Sequence, residues 1–130
     1  MAPNYYYYYY LYIPELNNNT VFSVAVSPHL SHTVYLGTNN FGGGGSRIVK
    51  VINANNYPVT PLPSGTALAT AGLPATKIVS FVAVGPNAAD SQLIVTYSSY
   101  GAGGSVFYSN SAGNSWTNIT GNLPDMPVRW

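Results

Sequence analysis

Val24-Ala25-Val26-Ser27-Pro28 returns 58 residues later as Val82-Ala83-Val84-Gly85-Pro86. Self-similarity at a fixed period signals a repeat architecture and takes precedence over any single motif. Working outward, each copy is followed by a short polar loop and then an apolar run. These runs are Thr33-Val34-Tyr35-Leu36-Gly37 and Gln92-Leu93-Ile94-Val95-Thr96-Tyr97. A Gly-rich turn comes next, Gly42 to Ser46 in the first unit and Gly101 to Ser105 in the second. A third run, Arg47-Ile48-Val49-Lys50-Val51, answers Ser105-Val106-Phe107-Tyr108-Ser109, with Ile48 and Val106 again 58 residues apart. The later segments, Pro58 to Leu62 and Trp116 to Ile119, each precede a Leu-Pro turn, at Leu73-Pro74 and at Leu123-Pro124.

Each unit therefore reads as four short strands joined by turns rich in Gly, Pro and Asn. Short strands at near-regular spacing indicate a sandwich, a barrel or a propeller, and tandem repetition of a four-stranded unit selects the propeller. The predicted fold is all-β, a partial β-propeller of about two four-stranded antiparallel blades plus an edge strand. Residues 1–16 supply the Tyr-rich outer strand of a preceding blade, 17–72 the first blade, 73–127 the second, and 128–130 the start of the next. Val128-Arg129-Trp130 aligns with Ile78-Val79-Ser80, and Tyr5 to Ile13 takes the place of an outermost strand before the turn Pro14-Glu15-Leu16. Residues 64 to 72 are the nearest thing to a helical run, but glycines bracket them and they are read as loop. Propellers close with about four to eight blades. Two blades leave three alternatives: a fragment, several copies completing a ring, or open edges pairing in a polymer.

Composition agrees with strands and turns. Only 5% of the 130 residues are charged and 46% are apolar, with Asn, Ser, Thr and Gly making up most of the polar remainder. A net charge of +1, with Arg47, Lys50, Lys77 and Arg129 scattered, provides no footprint for nucleic acid or an anionic membrane. The absence of cysteine removes disulfides and thiolate metal sites. No apolar run reaches the about 18 residues that a membrane-spanning helix needs. The start, Met1-Ala2-Pro3-Asn4, has no signal-peptide pattern, so an exported protein would be represented here in a mature or truncated form. The neutral polar surface points to an extracellular or cell-surface location. Two triplets, Asn18-Asn19-Thr20 and Asn118-Ile119-Thr120, fit the glycosylation sequon, which arises readily by chance in Asn-rich sequence.

Ser109-Asn110-Ser111-Ala112-Gly113-Asn114-Ser115-Trp116 resembles the Asp-box, Ser-x-Asp-x-Gly-x-Thr-Trp, of the BNR-repeat β-propellers. In that family the motif occupies the turn between the third and fourth strands of a blade. Its Gly adopts positive φ, its Ser and Asp bond turn backbone, and its Trp packs beneath the hairpin. Here Ser111 stands where the family has Asp, and Ser115 stands where it has Thr. The resemblance implies a structural role for Ser109, Ser111, Gly113, Ser115 and Trp116. In the first unit Val51 to Tyr57 is a decayed counterpart, with Tyr57 near the Trp position. The flanking segments, Val106 to Ser109 and Trp116 to Pro124, are similar to repeats of sortilin-type receptors, xyloglucanases, sialidases and surface proteins exported by type IX secretion. The likeness spans residues 21 to 130 and is stronger from residue 78 onward. It implies a fold more than an activity, since such repeats serve receptors, hydrolases and inert scaffolds alike.

Chemistry has little to work with. Glycoside hydrolysis needs two carboxylates facing each other across the bond, and the chain has only Glu15, Asp90 and Asp125. Each lies in a turn, where Asp90 is expected to bond its own backbone. Arg47 and Arg129 do not make the arginine cluster of a sialidase. His29 and His32 are read as exposed loop residues, no third metal ligand being evident. Gly42-Gly43-Gly44-Gly45-Ser46 lacks the Lys-Ser/Thr of a phosphate loop. It matches a common engineered linker and also suits a flexible hairpin tip, like Gly101-Ala102-Gly103-Gly104.

The run Tyr5, Tyr6, Tyr7, Tyr8, Tyr9 and Tyr10, with Tyr12, would present aromatic rings on both faces of a strand. It reads as an outer strand of unusual sequence, as an association edge of the uncapped, charge-free kind that pairs with another chain, or as a surface that stacks on sugars. The expected role is a non-catalytic extracellular scaffold, adhesion or self-assembly module. The expected partners are other propeller blades, further copies of the chain or a glycan, with no cofactor or metal. The alternative is a carbohydrate-binding protein or a piece of a glycoside hydrolase.

Overall fold

A computed structural model of the chain describes residues 12–16, 19–39, 46–56, 59–101, 103–124 and 126–128. It is all-β. Short runs rich in β-branched and aromatic side chains, which suit a pleated surface, produce β1 (Thr20–Val26), β2 (Val34–Asn39) and β3 (Ile48–Ile52). β4 (Ser64–Ala67) completes a first antiparallel sheet in the order β1-β2-β3-β4. A second sheet follows from β5 (Val79–Val84), β6 (Leu93–Tyr97), β7 (Val106–Ser109) and β8 (Thr117–Asn118), again in chain order. Helix among the described residues is limited to single 3₁₀ turns at Pro14–Leu16 and Ala88–Asp90.

The two sheets share one register. Val24 faces Leu36 and Leu36 faces Val49 in the first sheet; Val82 faces Val95 and Val95 faces Phe107 in the second. The first strand of each sheet carries a bulge at a matching position, between Val21 and Ser23 in β1 and between Val79 and Phe81 in β5. An extra residue placed identically bends and twists both strands alike. The repeat is therefore one of backbone geometry over the first three strands of each sheet, offset by 58 residues in the first and third strands and by 59 in the second.

The fourth strand departs from that period. The expected segment Pro58 to Leu62 is not a strand where it is described, and the fourth strand is Ser64–Ala67, inside the stretch read as loop. Val49 pairs with Ala67 and Phe107 with Asn118, so these fourth-strand partners are only 51 residues apart. Ser-Gly-Thr-Ala has weak strand preference on its own. It is extended because the exposed edge of β3 offers a ladder, which is tertiary context overriding propensity.

The strand expected to run to Ile13 does not include Tyr12 or Ile13. Pro14 follows, and the chain turns there, with Leu16 N–H donating to the Ile13 carbonyl at 3.1 Å. This segment covers the outer part of the first sheet. A Cβ on Gly65 would lie 2.6 Å from Ile13 and 2.9 Å from the Glu15 carboxylate.

The core lies between the sheets. Tyr35 and Ile48 from the first sheet meet Val79, Val82, Leu93, Val95, Tyr97 and Phe107 from the second, joined by Trp116. Tyr97 and Phe107 pack edge to face, with centroids 5.6 Å apart, a geometry that ring quadrupoles favour. Each fully buried Val or Leu here contributes about 1.5–3 kcal/mol. Close approach requires Gly37, since a Cβ there would lie 2.6 Å from the Val79 side chain.

Candidate functional site

The most organised polar chemistry is the seam between the sheets. Asp90, at the end of the 3₁₀ turn between β5 and β6, is wholly buried. Its carboxylate accepts hydrogen bonds from two groups of the first sheet, Ser27 Oγ at 2.8 Å and the Tyr35 hydroxyl at 2.9 Å. The expectation that Asp90 bonds its own turn is thereby corrected. Backbone at Ala89 (φ 60°) and Asp90 (φ 52°) is left-handed, and this aims the side chain across the seam. Ser27 Oγ also accepts the backbone N–H groups of Leu30 at 2.7 Å and His29 at 3.1 Å, which orders the β1–β2 turn.

Two further links flank this point. Val82 N–H donates to Ser23 Oγ at 3.0 Å, and the His29 imidazole Nε2 lies 3.2 Å from the Gly85 carbonyl. His32 is exposed on the same loop. Burial, followed by the hydrogen bond to Asp90 and its charge, holds the Tyr35 hydroxyl well above the usual tyrosine range. Burial alone raises Tyr97. The Lys50 ammonium sits 5.8 Å from the Tyr35 ring centroid, within cation–π range.

A second polar knot joins the opposite ends of the strands. Lys77 is buried, its Nζ donating to the Gly104 carbonyl at 2.9 Å, with Ser105 Oγ at 3.4 Å. Ser46 Oγ donates to the Lys77 carbonyl. Neither Asp90 nor Lys77 announces this role locally, because their partners are dozens of residues away. One signal was available: a chain with three acids and four bases rarely spends them at random, and burial of a charge demands partners.

The octapeptide from Ser109 to Trp116 forms the β7–β8 turn. Ser109 Oγ accepts Gly113 N–H at 2.9 Å and Ser111 N–H at 3.2 Å. Ser111 Oγ accepts Ser115 N–H at 3.0 Å and lies 2.8 Å from Ser115 Oγ. Gly113 adopts φ 84°, and Ala112 N–H reaches back to the Ser91 carbonyl at 2.9 Å. Trp116 is in the core and its indole N–H donates to Ala69 at 2.8 Å, beyond the end of β4. The five residues thus brace a turn and tie it to the segment that leaves the first sheet.

Among the described residues the remaining candidates are not gathered into a reactive centre. Glu15 sits over Gly65 and Val49, whereas Asp90 faces Tyr35 on the other side of the first sheet. Asp125, Arg129 and Tyr5 to Tyr10 lie outside the described residues, as do Gly42 to Gly45; Tyr12 is exposed. Among the described residues no group of three or more His, Asp or Glu could hold a metal, and no helix is long and apolar enough to cross a membrane. A shallow polar cleft of about 530 Å³ opens between the Gly101–Ser105 turn and Asn118, Thr120 and Gly121. Thr120 Oγ1 is engaged there, accepting the N–H groups of Ser105 at 2.8 Å and Val106 at 3.0 Å.

The chain matches no family model, and it matches no curated protein and no solved structure.

Proposed function

We propose that the chain is a non-catalytic scaffold segment, its two sheets acting as consecutive blades of a propeller-type stack of the Asp-box kind. The observation that carries this reading is the seam, in which two sheets that share one register over their first three strands are locked by Asp90, Ser27, Tyr35 and Ser23. A sandwich formed by two unlike sheets has no need of matching bulges and matching cross-strand pairs. A stack of repeated units does, because each unit must present one face forward and the complementary face behind. Val128 supports the same reading. Its N–H donates to the Tyr97 carbonyl at 3.0 Å and its carbonyl accepts from Ser80 Oγ at 2.6 Å, beside β5 and β6, as a segment leading to a further sheet would.

The acids favour a scaffold over a hydrolase. Asp90 is engaged in the seam and Glu15 lies on the opposite face of the first sheet, so these two do not flank a common bond. The extracellular or cell-surface setting rests on the charge-poor composition. Amide hydrogen exchange tests the stack: β1–β3 and β5–β7 should open as one cooperative unit, and independent opening of the two sheets would refute it. A glycan array tests the role, since a scaffold binds no sugar; binding at the Asn118 cleft would move the assignment to the carbohydrate-binding class.

A further inference from the structure

The buried seam has two halves, and register equivalence places each half a second time on an outward face; on the first sheet that face is exposed along β1, while Ile13 and Glu15 lie over Gly65 and Val49 on its β3–β4 side. In the first sheet the packed face runs across Ala25, Tyr35 and Lys50; the corresponding row on the outward face of the second sheet is Ala83, Ile94 and Tyr108. In the second sheet the packed face carries Val82 and Val84, whose counterparts on the outward face of the first sheet are Val24 and Val26. Val82 is fully buried, whereas Val24 is 59% and Val26 71% exposed. These valines are as apolar as their buried equivalents and lie on a strand with the same bulge.

The outward face of the second sheet also holds a depression of about 300 Å³, lined by Ala83, Gly85, Pro86, Gln92, Ile94 and Tyr108. On the first sheet the counterparts of Gly85 and Ile94 are Ser27 and Tyr35, the pair that receives Asp90. The depression is therefore the equivalent of the Asp90 socket. In the first sheet the loop residue at the Asp90 place is His32, which shares its left-handed backbone, φ 57° against 52°.

We infer that the outward face of the second sheet is a docking surface for the first sheet of a second copy of this chain, arranged head to tail. This deepens the stacked-sheet reading and rests on it. Val24 and Val26 of the incoming copy cover Ala83 and Ile94, and its Leu30–His32 loop seats in the depression beside Gln92 and Tyr108. The central rows, Val24 with Leu36 and Ala83 with Ile94 and Tyr108, carry no charged side chain, and Glu15 lies to one side over Gly65, so no like charges oppose the contact. The residues at 126–128 cap the opposite end of the β5–β6 pair and leave the depression clear. Phe81 and Ile94 stand where Ser23 and Tyr35 supply polar links within the chain, so the contact between copies is weaker than the internal seam and reversible. A heterologous contact of this kind propagates into a closed ring or an open filament.

Sedimentation across a concentration series, with far-UV circular dichroism on each sample, tests the inference. The chain should sediment above its 13.8 kDa monomer mass as concentration rises. Ile94→Asp on one face or Val24→Asp on the other should each weaken association about 100-fold or more, since a lone carboxylate is buried in the contact. An equimolar mixture of the two variants should form a dimer and stop there, because each supplies the one face the other has lost. Should either substitution cost the β-sheet spectrum, Ala83→Arg and Val26→Asp replace them. A folded wild-type chain that remains monomeric overturns the inference and assigns these faces to further sheets of a longer polypeptide, leaving the stacked reading to stand on the seam. Association that survives both substitutions, or a mixture that stays monomeric, overturns it as well. Loss of the stacked reading itself would show separately, as indifference of the fold to removal of Asp90.

Discussion

The Asp90 carboxylate, on the loop leading out of β5, accepts a hydrogen bond of 2.9 Å from the Tyr35 hydroxyl in the middle of β2, 55 residues earlier in the chain. Both groups are shut away from water. In that setting a hydrogen bond to a charged group is worth about 1.5–3 kcal/mol, and an orphaned partner costs a similar amount. Asp90→Ala should therefore lower the free energy of unfolding by about 2–4 kcal/mol in urea titrations. Asp90→Asn, which keeps the shape and one acceptor, should lose less. Tyr35→Phe should cost about 1–3 kcal/mol, and the double variant should lose less than the two single losses combined, since they share one interaction.

Alkali should open the core through its tyrosines. The hydroxyls of Tyr35 and Tyr97 are both raised above the ordinary value of 10.0. A group whose folded pKa is raised stays neutral in the fold, so its contribution is complete below the unfolded value and is lost as pH climbs past it. Stability should be flat in this respect up to about pH 10 and fall steeply above it. Tyr97→Phe removes one of the two titrations, and its alkaline unfolding midpoint should move to higher pH. An unchanged midpoint, followed by tyrosinate absorbance, would count against burial of that hydroxyl.

Gly113 should resist substitution. Its φ of 84° disfavours any side chain, and a Cβ would lie 2.5 Å from Leu68 Cδ1. Gly113→Ala should cost more than about 1 kcal/mol, read as a lowered thermal midpoint.

Ser111 offers a gain. Its hydroxyl accepts Ser115 N–H at 3.0 Å and sits 2.8 Å from Ser115 Oγ. A carboxylate at this place would accept both as charge-assisted bonds. Ser111→Asp should stabilise the turn by about 0.5–1 kcal/mol, a rise of roughly 2–6 °C in midpoint. A fall in midpoint would mean that the turn does not accommodate the acid its pattern resembles.

Ser109→Ala should be costly for the opposite reason. Its buried hydroxyl receives two backbone N–H groups, and their desolvation without an acceptor is worth about 1–3 kcal/mol. Calorimetry of this variant beside Ser111→Asp separates the two hydroxyls.

Much of the fold was legible because β1, β2 and β3 and their counterparts are short apolar runs that repeat together with their loops. Which of their side chains face the core was not legible: Leu93, Ile94 and Val95 are equally apolar, yet Ile94 is 37% exposed while its neighbours are buried. β4 was not legible: Ser64-Gly65-Thr66-Ala67 has no pattern, and only the waiting edge of β3 extends it. The turn from Ser109 to Trp116 was legible, because a Gly with hydroxyl residues at fixed offsets is local chemistry. The seam was not. Asp90 looks like any turn aspartate until the first sheet is brought alongside, and the Lys77 knot is equally invisible to a local reading. Long-range polar contacts depend on a stacking arrangement that the period implies but does not dimension.

The loop between β3 and β4 is seven residues longer than the loop joining β7 to β8, measured between paired positions, yet the first three strands of each sheet keep their alignment. Length is thus absorbed between β3 and β4, after Ala54 N–H has been tied to the His32 carbonyl at 2.8 Å. A foreign peptide spliced in between Val59 and Pro63 would therefore lengthen a connection whose size already differs between the two sheets, and leave the pairing of the first three strands as it is.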